Sequence, residues 1–454
     1  MIRLRTLLPL LAFVFAACTL VPAELQRELL PSNTAYKTAE AAYQVLIERH
    51  VDKPSSKPLL AGALDGAVAE AKKEGATDGA LPTAGLNLTG STWSDFAKFS
   101  DRLDAIVAAT PNADKTKLER AAVDGMAKSM NECHTYYLDP DRAKRFNQPQ
   151  PPVSGIGVQI SKPTVDAPIE VVRVYSGTPA DRAGIRVGDR IVSVDGADVT
   201  NLQTDEVANK VRGAEGTPVT VGVLRQQTSL SFTMNRARFN VPLQTDSLIE
   251  GNIGRIEVPQ LVGAVADEVS AAVRRLDASG ADALILDLRS DPGGDLSAAV
   301  DIASIFVRQG TLVYQTGRDG NRTPLDVNRR LYFNKPKPLV VLVNKNSASG
   351  AEIIAAGIRA NDVGIVIGTQ TAGCVGTGQP RELPDGGMLL VTITKIQDAK
   401  TGAELNGPNR GVVPDQIVDQ PAGAQGDPQL EAAVAYLRTK IARTSLVTEL
   451  PLAA

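Results

Sequence analysis

The spacing of apolar residues divides the chain into a helical first third, a β-rich middle and a mixed remainder. In the first third, apolar residues recur at helical spacing and few residues are β-branched. A glycine-rich loop is expected over Gly75–Ser91. The predicted helices are Tyr36–Glu48, Pro58–Lys73, Trp93–Ala109 and Lys115–Met130. Residues 24–150 are therefore expected to form a helical domain.

From residue 239 onward, short apolar runs alternate with segments of helical composition. The predicted strands are Gly254–Val258, Ala283–Leu288, Leu339–Val343, Gly364–Gly368 and Leu389–Thr394. The predicted helices are Ala264–Ser279, Leu296–Val307 and Glu352–Ala360. Such alternation is typical of an α/β domain. We expect this domain to span 239–445 and a loose tail to occupy 446–454.

Length and composition exclude several classes of function. The 454 residues predict roughly two to four domains. A net charge of -3 and an aromatic content of 4% argue against a nucleic-acid partner, which needs a basic field and stacking surfaces. The chain carries no phosphate-binding loop, dinucleotide fingerprint or zinc-ligand spacing. We therefore expect neither a cofactor nor a metal ion.

The first 23 residues have the pattern of a targeting segment. Arg3 and Arg5 precede the apolar run Leu7–Ala17, which is too short to span a bilayer. Small residues before Cys18 resemble a bacterial lipoprotein processing site, which implies acylation of Cys18 and a lipid anchor. Ordinary secretion with cleavage near Ala23 is the alternative. Both place the protein outside the cytoplasm of a bacterium, on the cell envelope or secreted, where disulfides persist.

Residues 153–238 resemble a PDZ domain. Its motif pieces occur in order: GIGVQI at Gly155–Ile160, PADRAG at Pro179–Gly184, VGDRIVSVDG at Val187–Gly196, a helix at Leu202–Val211 and a strand at Val219–Arg225. The resemblance implies that the backbone of Gly155, Ile156, Gly157 and Val158 binds the C-terminal carboxylate of a peptide. The peptide would add a strand to the edge of the sheet. Protein C-terminal tails are thus the expected partners.

A small-residue turn separates a buried strand from a helix at Ser347–Gly350. This arrangement presents a side chain at the mouth of a sheet. Ser349 and Glu352 have the spacing of a capping box, which requires no chemistry. The run NKNSASGAEI also resembles the N-x-x-S-A-S-A-S-E-I motif of C-terminal processing (tail-specific) serine peptidases, although Gly350 and Ala351 depart from it. The resemblance implies that Ser349 is the nucleophile, and one serine can fill both roles.

The same family has a D-L-R-x-N-P-G-G segment, which DLRSDPGG resembles here. The resemblance implies that the amides of Gly293 and Gly294, with that of Gly350, stabilise the oxyanion of an acyl-transfer intermediate. It covers residues 120–418 and implies an α/β multidomain protein. That protein would have a helical N-terminal region, a PDZ-like β domain and a ββα-repeat (crotonase-like) core.

The general base departs from the family pattern. The family's T-F-G-K-G segment corresponds to TAGCVGTGQ, so Cys374 occupies the lysine position, and no lysine lies between Lys345 and Lys395. A serine without a base is a weak nucleophile. The usual Ser/Lys dyad is therefore not intact.

Three explanations for the missing lysine remain open. Related peptidases use a Ser/His/Glu arrangement, and ECHTYYLDP presents a similar His-Thr pair, so His134 would be the base and Glu404 its orienting carboxylate. Alternatively, the site is degenerate and the protein is a non-catalytic peptide-binding scaffold. In the third, a Cys374 thiolate is itself the base.

Three cysteines limit these alternatives. If Cys18 is acylated or removed, Cys133 and Cys374 remain, and such a pair outside the cytoplasm is often a disulfide. A Cys133–Cys374 disulfide would hold the His134 loop beside Ser349. The resemblance thus implies a PDZ-containing serine endopeptidase acting by acyl transfer. Its substrate and oligomeric state are left open.

Overall fold

A computed structural model describes residues 35–82, 85–146, 154–162, 167–421 and 426–448, without the side chains of 443–448. The targeting segment predicted for residues 1–23, with Cys18, lies outside the described residues. Within the described ranges, no helix combines the length and the apolar character that crossing a bilayer demands.

Four helices form the N-terminal domain, as predicted: α1 (Lys37–Arg49), α2 (Ser56–Lys73), α3 (Thr92–Ala109) and α4 (Lys115–Lys128). Their apolar faces share one buried cluster, which extends to Leu389 and Val391 of the C-terminal half. Helices α2 and α4 cross in close contact, because a Cβ on Gly66 would lie 2.1 Å from the carbonyl oxygen of Ala121. The helical domain is therefore packed directly against the core.

The segment after α4 belongs structurally to the core. Strand β1 (Tyr136–Leu138) pairs antiparallel with residues 388–390, and helix α5 (Pro140–Phe146) follows. The sequence analysis assigned these residues to the helical domain. The pairing instead places the loop that carries His134 against a sheet of the C-terminal half.

The predicted PDZ-like domain is a small sheet with two helices. Its strands are β2 (Val158–Ser161), β3 (Glu170–Val174), β4 (Arg190–Val194), β5 (Ala197–Asp198), β6 (Pro218–Arg225) and β7 (Thr228–Asn235). Its helices are α6 (Pro179–Ala183) and α7 (Thr204–Val211). The strand order is β2-β3-β4-β6-β7, with β5 beside β4. Strand β2 is therefore an edge, which a peptide strand can extend.

The core is built on a six-stranded sheet. Its strands are β8 (Thr245–Ile249), β9 (Ile253–Glu257), β10 (Ala283–Asp287), β13 (Leu339–Val343), β14 (Ile365–Gly368) and β17 (Gln416–Ile417). All neighbouring pairs are parallel except β8 and β9. Strands β10 and β13 are buried at every position, as their continuous apolar runs predict.

Three helices pack together in the main buried cluster of the core: α8 (Val265–Ala278), α9 (Leu296–Phe306) and α10 (Gly350–Ala360). The loops after β10 and β13 lead into α9 and α10 at one edge of the sheet. The predicted α/β core is confirmed.

A second sheet was largely missed by the sequence analysis. It contains β1, β11 (Thr311–Gly317), β12 (Arg322–Asp326), β15 (Gly376–Glu382) and β16 (Met388–Asp398). Only part of β16 was predicted, because the other strands are short or polar. The last helix, α11 (Pro428–Thr448), extends past residue 446, where the tail was expected to begin.

Candidate active site

Ser349 lies between β13 and α10 with φ 54° and ψ -117°. A positive φ is unfavourable for a residue with a Cβ, and such strain persists only where surrounding contacts impose it. Those contacts are hydrogen bonds from the Ser349 N–H to the Cys374 carbonyl oxygen at 2.8 Å and to Glu352 Oε2 at 3.0 Å. The side chain is held at the strand-to-helix turn and is partly exposed.

Glu352 organises the loops around Ser349. It forms the predicted capping box with Ser349 and is fully buried. Its Oε1 accepts hydrogen bonds from the Thr371 hydroxyl at 2.5 Å and the Gly373 N–H at 2.9 Å. Its Oε2 accepts the Cys374 N–H at 3.0 Å. Burial raises the pKa of Glu352 to about 7, and these hydrogen bonds oppose that rise.

The glycine pair after β10 lies directly against the serine. A Cβ on Gly293, whose φ is 86°, would lie 2.6 Å from the Ser349 Cβ and 2.7 Å from the Gly350 nitrogen. Only glycine permits this approach. The Gly293 N–H donates to Asp291 Oδ1 at 2.8 Å. The structure thus places the glycine pair and Gly350 beside Ser349, and the role of their amides as oxyanion donors stays a prediction.

Asp291 is a buried carboxyl that sequence reasoning overlooked. Its Oδ2 has no hydrogen-bond partner among the described residues. Burial raises the pKa of Asp291 to about 8, despite the Gly293 N–H and the nearby Arg173 guanidinium, which both lower it. Burial therefore favours the protonated, neutral form of this side chain beside the glycine pair.

Cys374 is joined to Cys133 by a disulfide, with 5.8 Å between their Cα atoms. The predicted pairing is present in the structure. A cysteine in a disulfide carries no thiolate, so Cys374 cannot act as a base in this form. The carbonyl oxygen of the same residue accepts the Ser349 N–H. The disulfide therefore connects the loop at residue 133 to the backbone that holds the serine.

His134 lies in that loop, with Nδ1 3.4 Å from the Cys133 sulfur. Its ring lies beside β15, where a Cβ built on Gly376 would be 3.7 Å from Nδ1. Burial lowers the pKa of His134, and the charge of Glu132 partly opposes this. A neutral imidazole with a lowered pKa can accept a proton at neutral pH.

Glu132 lies two residues before His134, in the same loop, and its carboxylate contacts the His134 backbone. Its Oε2 accepts the His134 backbone N–H at 2.8 Å, and its Oε1 accepts the Thr392 hydroxyl at 2.6 Å. Burial raises the pKa of Glu132, but the nearby His50 ring, 3.7 Å away, and the hydrogen bonds from Thr392 and the His134 N–H lower it to about 2. The ionised side chain thus fastens the loop to β16. No sequence signal distinguished Glu132 from a surface glutamate.

Glu404, the carboxylate predicted to orient His134, has other partners. It forms ion pairs with Lys395 at 2.8 Å and Arg410 at 2.7 Å. None of its described contacts involves His134.

The predicted carboxylate-binding loop lines a cavity that reaches the loops of the core. This cavity has a volume of about 820 Å³ and is lined by Gly155, Ile156, Gly157 and Val158. Its far wall includes Ser290, Pro292 and Asn346, from the loops that precede Gly293 and Ser349.

Direct contacts also connect the small β domain with the loop that precedes Gly293. Gln159 Nε2 donates to the Ser290 carbonyl oxygen at 2.8 Å, and Arg173 Nη2 donates to that of Arg289 at 2.9 Å. The peptide groove and the candidate oxyanion loop are therefore neighbours.

Comparison with family profiles agrees with this geometry. The profile of peptidase family S41 matches residues 252–418, and a PDZ domain profile matches residues 170–225. The first match covers most of the α/β core, and the second covers most of the small β domain.

Individual proteins show the same likeness. The chain is 31% identical to a carboxyl-terminal-processing protease of Synechocystis sp., over 73% of this chain and 79% of that protein. It is 32% identical to a protein of the same name from Picosynechococcus sp., over 70% of this chain and 78% of that protein. Among solved structures, a photosystem II D1 C-terminal processing protease matches 89% of this chain and 98% of that chain. Its TM-score is 0.63 at 22% identity.

Proposed function

We propose that this chain, which belongs to peptidase family S41 and is similar to carboxyl-terminal processing proteases, is a serine endopeptidase acting outside the cytoplasm. Ser349 is the nucleophile, and His134 replaces the lysine that the family motif places at Cys374. The observation that carries the proposal is the strained backbone of Ser349, packed against Gly293 and held by Cys374 and Glu352.

The proposed chemistry is acyl transfer. His134 takes the hydroxyl proton of Ser349 as the oxygen attacks the scissile carbonyl, and it then gives the proton to the leaving amine. The Gly350 N–H and one N–H of the Gly293–Gly294 pair stabilise the oxyanion. Each such donor typically contributes roughly 3 kcal/mol to the transition state. Water then hydrolyses the acyl-enzyme.

The PDZ domain is proposed to capture the C-terminal tail of the substrate. The peptide extends β2 as an additional strand, and its carboxylate binds at Gly155–Val158. The cavity shared with Ser290 and Pro292 supports this role, because a tail bound there lies beside the candidate oxyanion loop. The targeting pattern of residues 1–23 supports secretion, or a lipid anchor at Cys18.

A peptide-binding scaffold without catalysis is the alternative. The observation that favours it is the disulfide-bonded Cys374 at the lysine position. Under this alternative, His134 is structural and the PDZ domain carries the function.

The test is cleavage of an unfolded reporter protein with an apolar C-terminal tail, under non-reducing conditions. We expect Ser349→Ala and His134→Ala to abolish cleavage. Ser270→Ala, a serine on helix α8 outside the site, is the matched control and retains activity. A serine-reactive fluorophosphonate should label wild type and fail to label Ser349→Ala.

Activity that survives His134→Ala would refute the base assignment. Absence of both cleavage and labelling in the wild type, with tail binding intact, would establish the scaffold instead.

A further inference from the structure

We infer that reduction of the Cys133–Cys374 disulfide creates a zinc-type cation site from the two sulfurs and a ring nitrogen of His134. Its consequence for activity rests on the proposed function, because the ion would occupy the proposed base. Binding itself does not depend on that proposal.

The three candidate ligand atoms are already close together. The sulfurs of Cys133 and Cys374 and the nearest ring nitrogen of His134 all lie within 4.8 Å of one another. In tetrahedral zinc sites, bonds of about 2.0–2.3 Å place neighbouring ligands roughly 3.5–3.8 Å apart. The 3.4 Å between Cys133 Sγ and His134 Nδ1 is close to that spacing. One ion can therefore contact all three after small side-chain rotations.

Contacts other than the disulfide hold both arms of this site. The His134 loop is fastened by its N–H to Glu132 Oε2 at 2.8 Å. The Cys374 N–H donates to Glu352 at 3.0 Å, and its carbonyl oxygen accepts the Ser349 N–H at 2.8 Å. The Cα atoms of the cysteines lie 5.8 Å apart. Both thiols consequently stay within reach of one ion when the sulfur–sulfur bond breaks.

The donor set selects the kind of ion. Two thiolates and an imidazole favour zinc and similar soft or borderline cations over magnesium or calcium. Cys133 is exposed, so an ion has a path from solvent. Three protein ligands leave the fourth position of a tetrahedral ion open to water.

Formation of the site requires a thiol-based or phosphine reductant. With a dithiol, one sulfur attacks the disulfide to form a mixed disulfide, and the second displaces the protein sulfur. Two electrons pass to the protein, Cys133 and Cys374 become thiols, and the reductant becomes a disulfide. Binding of a divalent cation then releases the two thiol protons.

The ion would suppress the peptidase. It bonds to a nitrogen lone pair of His134, so the imidazole can no longer accept the Ser349 proton. Inhibition by zinc is therefore expected only after reduction, with recovery on chelation.

The experiment uses the full chain with Cys18→Ser, so that the third cysteine does not contribute. Cobalt(II) is titrated before and after reduction by a phosphine, which leaves the two cysteines as thiols and itself becomes a phosphine oxide. The readout is the near-ultraviolet thiolate-to-cobalt absorption band. We expect one cobalt per chain after reduction and no band before it. Reduced protein alkylated at its thiols is the control and should show no band.

The ligand variants complete the test. Cys374→Ser should lose the band, and His134→Ala should weaken cobalt binding by at least about tenfold, since even residues behind a ligand commonly contribute that much. Absence of the band in reduced protein with two titratable thiols would overturn the inference, as would equal affinity in His134→Ala. If the reduced protein binds cobalt but the oxidised wild type never cleaves the reporter, the metal site is supported and the proposed peptidase function is refuted.

Discussion

Cys133 and Cys374 lie 241 positions apart in the sequence and are joined by a disulfide beside the candidate nucleophile. One half belongs to the loop that carries His134. The other half supplies the carbonyl oxygen that holds the Ser349 N–H. Cys374, the residue at the position of the family's lysine, is thus held in a disulfide bond.

We expect Cys374→Ser to lower the free energy of unfolding by about 2–4 kcal/mol, and the melting temperature with it. This is the usual contribution of a disulfide that closes a long loop. The double variant Cys133→Ser/Cys374→Ser should match the single variant, because both lose the same bond. Differential scanning fluorimetry under non-reducing conditions measures the shift. Additive losses would mean that the cysteines act independently.

Glu132→Gln should reduce kcat by roughly tenfold, equivalent to about 1.4 kcal/mol. The amide replaces one of two oxygens that hold His134 and Thr392. Loss of the negative charge also lowers the His134 pKa further, so the acidic limb of the pH–rate profile should move to lower pH. Glu404→Gln is the matched control, and a larger effect there would restore Glu404 as the orienting carboxylate.

Glu352→Gln should unfold the loops around Ser349. Its Oε2 accepts hydrogen bonds from the N–H groups of Ser349 and Cys374. A glutamine NH₂ group at that position is itself a donor and cannot accept either N–H. Each buried hydrogen bond left unmade costs roughly 1–3 kcal/mol. Glu268→Gln on helix α8 is the control. A melting temperature and kcat equal to wild type would contradict this role.

The pH dependence of kcat/KM reports on the base. Burial lowers the pKa of His134 below its ordinary 6.5, so the neutral, proton-accepting form persists into mildly acidic solution. The acidic limb is therefore expected below pH 6.5. A limb well above pH 7, as for a lysine base, would exclude His134.

Asp291 should make the protein less stable as pH rises. Burial raises its pKa from 3.8 to about 8, so between those values the unfolded chain is ionised while the folded chain is protonated. Stability then falls by about 1.4 kcal/mol per pH unit across the window and levels off above it. Asp291→Asn has no carboxyl to ionise and so lacks this loss of stability. The free energy of unfolding of the variant minus that of wild type should therefore be larger at pH 8 than at pH 5.

Asp427→Asn provides a control of opposite sign. Although burial opposes it, Arg289 holds the pKa of Asp427 below its ordinary value. Both states are then ionised from pH 5 to pH 8, so the effect of this substitution should be equal at the two values. Denaturant midpoints at each pH test both expectations, and a constant difference for Asp291→Asn would refute the first.

Much of the fold was predictable from residue periodicity. Strands β10 and β13 are continuous apolar runs, and the N-terminal helices repeat apolar residues at helical spacing. The second sheet escaped prediction because strands such as β12 and β15 carry many polar residues and glycines. Their pairing with neighbouring strands gives them β-structure.

Within the candidate site, the sequence by itself pointed to Ser349, the glycine pair and His134, because each lies in a short motif that resembles one of the family, and their catalytic roles stay predictions. It also suggested the Cys133–Cys374 pair. Only the tertiary structure decided that Glu132 holds the His134 loop, that Asp291 is buried beside Gly293, and that Glu404 pairs with cations. Periodicity and motifs are properties of a few neighbouring residues. Burial and long-range contacts depend on how segments hundreds of positions apart pack together, and no local pattern encodes them.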